Sequence, residues 1–357
     1  MRRKDRHILT GVAIGATVTS LADIILQWLE HRNANQAFTW ESYDGFRTLE
    51  KSIIGGAIGA GIGYATYQFK ISEEAKFPFD SDKFLKKLLT QESLRADPKT
   101  FEIVNSVRAI VKKRFWEAFK SDLVIFPEDV GSFFKKTALL SSFDLDIILA
   151  FKKGSYQSLE KMYYDVYEVA GAEFGQEAII SKESKAIGLS IDYNGHLIHF
   201  DIVPGREINN YKTDRDLNLY VRPEWFWQKG TQFKTNTQFQ KKITANNPKA
   251  RAVIMLLKKY RNANRIKLPS SIIEQYTVAA LSDTRHRLNF SETENLLNTM
   301  DYIARKITQC SLIDLANSNN NLHEKIAQSE REYIAYLLNR DINRIEKNSR
   351  YIKEIFE

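Results

Sequence analysis

The sequence predicts an α+β fold: a mixed sheet with helices, then a C-terminal helical lobe, the whole preceded by a two-helix apolar hairpin. Three observations predict it. Short runs rich in β-branched and aromatic residues, Leu145 to Phe151 and His196 to Val203, are bounded by turn residues as strands are. Apolar residues recur at helical spacing before and after them. The first 72 residues also hold two long apolar runs with almost no charge. The expected organisation is a hairpin over 1–72, a mixed core over 73–230 and a helical lobe over 231–357.

Within the hairpin, Ile8 to Leu29 follows the basic cluster Arg2, Arg3, Lys4 and Arg6, and Ser52 to Phe69 carries no charge at all. Each run approaches the roughly 20 residues that cross a bilayer. Gly11, Gly15 and Thr19 in the first run, and Gly55, Gly59 and Gly63 in the second, form small-residue ridges where two helices can approach closely. Asp23 and Gln27 oppose spanning, since an aspartate near mid-membrane costs about 2.5–3.5 kcal/mol on insertion scales. A glycine-rich soluble hairpin is the alternative. A signal peptide fits less well, because no small-residue cleavage site follows the run. Spanning over 8–29 and 52–69, with basic residues at both ends, predicts a two-pass inner-membrane protein whose large domain is cytoplasmic.

The next helices are expected over Asp82 to Lys120, where Phe84, Leu85, Leu88 and Leu89 share a face. The pattern breaks near Asp97-Pro98 and resumes with Ile103, Val104, Val107, Ile110 and Val111. Leu123 to Phe126 reads as a strand, Gly131-Ser132 as a turn, Leu145 to Phe151 as a strand and Leu159 to Ala170 as a helix. Ile187 to Ile191 and His196 to Val203 read as strands joined at Asn194-Gly195. From Asn247 onward the pattern is almost entirely helical, with loops around Leu268-Pro269 and Asn317 to Asn321.

Composition narrows the partners. The net charge of +8 favours polyanions: nucleotides, nucleic acid or an anionic membrane surface. The single cysteine, Cys310, excludes an internal disulfide framework and a cysteine-built zinc cluster, and the six histidines show no H-E-x-x-H pairing. The basic run Lys234 to Lys249 is open between a nucleic-acid contact and a solvated face. The aromatic run Trp225-Phe226-Trp227 reads as core rather than as a base-stacking shelf.

The chemistry-bearing residues lie between Gly131 and Asp201. Asp144 and Asp146 are two apart, so on a strand they project from the same side, and Asp201 on the apolar run after His199 can bring a third carboxylate beside them. Three such carboxylates repel one another unless a divalent cation lies between them. Magnesium suits the oxygen donors and also accepts phosphate oxygens. Gly131 permits a tight turn whose backbone N–H groups, with the Ser132 hydroxyl, can hold phosphate. A lone D-x-D pair is usually surface charge. The strand contexts and the third aspartate make this one specific.

Gly131-Ser132-Phe133-Phe134-Lys135-Lys136-Thr137, then Asp144-Leu145-Asp146, then His199-Phe200-Asp201-Ile202-Val203-Pro204, resembles the polymerase-β-type nucleotidyltransferase superfamily. Within it the sequence is similar to the bacterial cyclic GMP-AMP-synthase-like and dinucleotide-synthase-like enzymes (CD-NTases, SMODS). The resemblance implies a polymerase-β-like core with two magnesium ions (or manganese) on Asp144, Asp146 and Asp201, which are also the catalytic residues. It further implies a nucleoside triphosphate gripped by Gly131, Ser132 and Thr137, together with Lys258 in Leu256-Leu257-Lys258-Lys259-Tyr260 and Ser270 in Leu268-Pro269-Ser270. Ile313-Asp314-Leu315 through Asn319-Asn320-Asn321 resembles the family's late Asp-Pro…Asn-Asn element, with leucine in place of proline. The match spans roughly 80–325 and does not reach the hairpin.

The activity so implied is synthesis of a cyclic di- or trinucleotide messenger from ATP, GTP or other triphosphates, in antiphage defence; the hairpin adds the expectation of release at the inner face, close to a membrane effector. Whether nucleic acid activates it is left open by the sequence. Two competing functions remain: nucleotide transfer to RNA, protein or an antibiotic, and a silent nucleotide-binding scaffold. The ending Ile355-Phe356-Glu357 lacks the small terminal residue of conjugation-type tails, so regulation of that kind is not expected. Bland readings compete at single positions: Ser132 and Thr137 as turn residues, Lys258 on a solvated helix face, Glu274 as support without a catalytic role.

Overall fold

In the computed structural model, residues 79–223, 225, 228–238, 244, 247–282, 291–309 and 311–357 are described, with Ala13, Ala16 and Ser20 besides. Apart from those three residues, the two apolar runs at 8–29 and 52–69, and Cys310, thus lie outside the described residues. Among the described residues no helix is long and apolar enough to cross a membrane. Ser81–Ser282, Leu288–Lys347 and Tyr351–Glu357 form one compact unit, to which all that follows belongs.

Two helices open it, α1 (Ser81–Glu92) and the long α2 (Pro98–Phe119). The break between them has a local cause. Pro98 sits in the first turn of α2, where its missing N–H costs nothing, and the Asp97 side chain caps the helix by accepting from the Thr100 N–H at 3.2 Å. Then come β1 (Glu128–Asp129), the single-turn α3 (Gly131–Phe134), β2 (Leu145–Phe151) and α4 (Leu159–Phe174), the last capped by Ser158. β3 (Ala178–Lys182), β4 (Ile187–Tyr193) and β5 (His196–Glu207) follow, with α5 (Tyr211–Asp214), β6 (Asp216–Val221) and β7 (Thr231–Asn236) after them.

These strands form one mixed sheet in the order β1-β2-β5-β4-β3, with β6 beside the end of β5 and β7 beside β6. β2 and β5 run parallel, whereas the other pairs are antiparallel. Alternation sorts the two faces. Leu145, Ile147, Leu149 and Phe151 of β2, with Ile198, Phe200 and Ile202 of β5, pack against α2 and α4. Ile148 and Ala150 point the other way, toward Val130, Tyr211 and Leu217. Asp146 and Asp201 share the parity of this second face.

The helical lobe comprises α6 (Pro248–Ala263), α7 (Ser270–Ser282), α8 (Glu292–Lys306), α9 (Gln328–Lys347) and α10 (Tyr351–Glu354). Its buried residues include Ile254, Leu257, Ile273, Met300 and Leu338. The break in helix expected around Asn317 to Asn321 is a small hairpin, β8 (Ile313–Asp314) and β9 (Asn317–Asn321), which pair with each other. Here Asp314 gathers the Ala316 N–H and the Asn320 side chain at 2.9 Å each, a side-chain network that competes with helix.

Other expectations need correction. Leu123 to Phe126 is not a strand: Leu123 bridges Phe151 and the Val124 N–H reaches the Ala150 carbonyl, but Pro127 has no N–H to continue the ladder. Gly131-Ser132 opens a helical turn rather than a simple turn. Trp225 is not core, being 56% exposed; Phe226 and Trp227 lie outside the described residues.

Candidate active site

Asp146 and Asp201 are register partners across β2 and β5. Their side chains leave the same face of neighbouring strands, and Asp144 precedes β2 on the same parity. Charge crowding follows. Burial, reinforced by Asp201 and Asp144, pushes the Asp146 carboxyl up to about 6, with Lys135 and Lys258 pulling the other way. The Asp201 carboxyl is raised too, chiefly by burial, with Asp144 and Glu183 adding repulsion and His199 countering it.

A hard divalent cation would relieve this repulsion, and the donors are all carboxylate oxygens. Among the described residues no three acidic, histidine or cysteine side chains already converge as a finished cage. The fit to magnesium therefore rests on the donor chemistry and the crowding, which Asp144, Asp146 and Asp201 supply.

Gly131 joins the carboxylates to the phosphate-binding half. The Val130 N–H donates to the Asp146 carbonyl at 3.0 Å, which docks α3 against β2. Gly131 itself has φ +62°, and a Cβ there would lie 1.6 Å from Asp146 Oδ2. Only glycine lets the backbone pass this close to a carboxylate. Beyond it, Ser132, Thr137, Asp144, Lys258, Arg261 and Ser270 border a cavity of about 280 Å³.

The sequence-predicted lysine faces inward. Lys258 is 4% exposed, its Nζ donating to the Thr137 carbonyl at 3.2 Å and to Thr137 Oγ1 at 3.3 Å. Burial lowers its ammonium to about 8 despite the opposing pull of Glu274, whose Oε1 is 3.7 Å away. Thr137, fully buried, thus serves as the acceptor that seats Lys258. The neighbouring Lys259 turns aside to Glu92 at 2.6 Å. Ser270 Oγ lies on the cavity and accepts from Arg261 at 3.0 Å.

Three residues here were missed as site components. Lys135 pairs with Glu274 at 2.6 Å, so Glu274 bridges two cations, one from the loop after α3 and one from α6. Arg261 reaches the cavity one turn beyond Lys258. A faint signal existed for Glu274, the sole charged residue in α7. None existed for Lys135, one lysine of an adjacent pair.

No family model matches the chain, and no curated protein matches it. Solved structures do. CdnC of E. coli MS115-1, solved with ATP, superposes with a TM-score of 0.61 at 14% identity, over 77% of this chain and 97% of that one. The CD-NTase CdnG of Bradyrhizobium diazoefficiens, in complex with GTP, gives 0.61 at 13% identity, over 77% and 98%. The chain has the CD-NTase fold. The CdnE cyclic dinucleotide synthase of Elizabethkingia meningoseptica, with GTP and Apcpp, agrees at a TM-score of 0.52 and 13% identity, covering 71% of this chain and 96% of its own. The likeness that the motifs suggested therefore holds at the level of the CD-NTase fold.

Proposed function

We propose that the chain is a metal-dependent nucleotidyltransferase that joins nucleoside triphosphates into a cyclic di- or trinucleotide, releasing pyrophosphate. The observation that carries this reading is the in-register pair Asp146 and Asp201, with Gly131 pressed against it and the cavity beside it. The printed ligands of the similar structures, ATP for CdnC and GTP for CdnG, support triphosphates as substrates, and the description of CdnE as a cyclic dinucleotide synthase supports the product class.

When bound, two magnesium or manganese ions on Asp144, Asp146 and Asp201 supply charge neutralisation to the attacking and leaving oxygens. The chain's residues do the rest. Gly131 and Ser132 present donors to the triphosphate, and Arg261 with Ser270 borders its cavity. Lys258, seated by Thr137 and Glu274, adds positive charge at the cavity wall. Asp201 helps remove the proton of the attacking ribose hydroxyl, by accepting it directly or through a hydroxyl whose pKa the bound metal lowers. The new bond joins that oxygen to the α-phosphorus, the α–β bridging bond breaks, and pyrophosphate leaves.

The apolar runs at 8–29 and 52–69 support a membrane tether, with product released at the inner face near a membrane effector in antiphage defence. Purified full-length protein with magnesium and all four triphosphates is expected to form phosphatase-resistant nucleotides, read by mass spectrometry. Asp144→Asn combined with Asp146→Asn should abolish them. Label found only on linear products, RNA, protein or an antibiotic would overturn cyclic synthesis. Recovery of the chain in a detergent-free soluble fraction would overturn the tether.

A further inference from the structure

The sheet face that carries Asp201 continues into a row of polar groups that the metal site does not use. Asp201 is the register partner of Gly188, and His199 is the partner of Ser190. His199 Nδ1 lies 2.8 Å from Ser190 Oγ, and its Nε2 lies 3.5 Å from Asp201 Oδ1. Gly188 keeps this corner open: a Cβ there would meet Ser181 Oγ at 2.3 Å, Glu183 Oε1 at 3.3 Å and His199 Cε1 at 3.4 Å. Glu183 is held in turn by Ser181 Oγ at 2.8 Å.

Chemistry assigns directions along this line. A carboxylate only accepts, so the ring nitrogen facing Asp201 is satisfied when it carries the hydrogen. With the hydrogen on Nε2, bare Nδ1 needs a donor, and the Ser190 hydroxyl is the group in reach. The opposite tautomer would aim a lone pair at Asp201.

We propose that His199 is a positioning residue for Asp201, locked by Ser190 as the Nε2–H tautomer. The lock holds Oδ1 of Asp201 and leaves Oδ2 for the reacting groups. This rests on the nucleotidyl-transfer reading, so the test has one arm that needs no activity.

Ring nitrogen NMR on the full chain is that arm. Wild type should show His199 as a single Nε2–H tautomer, and Ser190→Ala should turn it into a mixture. An Nδ1–H ring in wild type, or ring signals unmoved in Ser190→Ala, would overturn the proposal. Kinetics is the other arm. His199→Ala should lower kcat by about 10–100-fold, the usual effect of losing a second-layer partner, while KM for triphosphate stays within about 2-fold. His199→Gln, which keeps an N–H donor, should recover most of the loss. An unchanged kcat in His199→Ala, or no recovery in His199→Gln, would also overturn it. If wild type forms no product, the functional reading falls and the tautomer alone decides the positioning.

Discussion

Asp146 and Asp201 lie side by side because β2 and β5 pair in one register, and no side chain is needed to bring them together. Lys135 and Lys258 belong to one cluster for a different reason: Glu274 lies between them, carried by a helix 139 residues beyond Lys135. The anionic half of the site is held by backbone hydrogen bonds. The cationic half is held by side chains: one buried carboxylate joins the two lysines, and Thr137 seats Lys258. Removing a partner from a buried ion network leaves uncompensated charge, whereas a strand register has no single side chain to lose. The two halves should therefore break under different substitutions.

The largest effect is expected where the halves meet. Gly131→Ala would place a methyl on Asp146 Oδ2 at positive φ, forcing the loop or the carboxylate to move. Misplacement by about 1 Å costs on the order of 100-fold in rate, so product formation should fall at least that far. Near-normal turnover would show that the close approach is not a constraint. Next comes the cationic half. Glu274→Gln leaves buried Lys258 and partly buried Lys135 without the carboxylate they share and should cost about 3 kcal/mol in urea unfolding. A loss below about 1 kcal/mol would mean that the lysines find water or other acceptors.

The gentlest test addresses the anionic half and reverses the sign. In metal-free protein the Asp146 carboxyl is raised to about 6, so the native state holds a proton that the unfolded chain has already released. The stability contributed by that proton is present below the unfolded value of about 4 and is lost as pH rises through about 6. Asp146→Asn should therefore raise Tm at neutral pH in chelator, and the gain should fade as pH falls through this window. A lower Tm at neutral pH would show that the carboxylate is stabilised rather than crowded.

Legibility in the sequence followed the same division. Asp144, Asp146 and Asp201 could be placed together because strand parity is local and the flanking residues are strongly apolar. Asp97-Pro98 announced its own helix boundary. β3, β6 and β7 were missed: β7, Thr231–Asn236, reads Thr-Gln-Phe-Lys-Thr-Asn and is a strand only because β6 pairs with it. The β8–β9 hairpin was hidden by its asparagines, whose side chains bond locally in ways no periodicity records. Glu274 and Lys135 stand 139 residues apart, and nothing near either one names the other.

β5 also sets the terms on which this protein could be redesigned. Phe200 and Ile202 face the helices while His199 and Asp201 face the site, so one strand is shared alternately between core and chemistry. A library that shifts or loosens β5 to change the reaction would expose the core in the same stroke. Variation is safer at the outward-facing positions of the edge strand β3, where Ile179 is already 75% exposed.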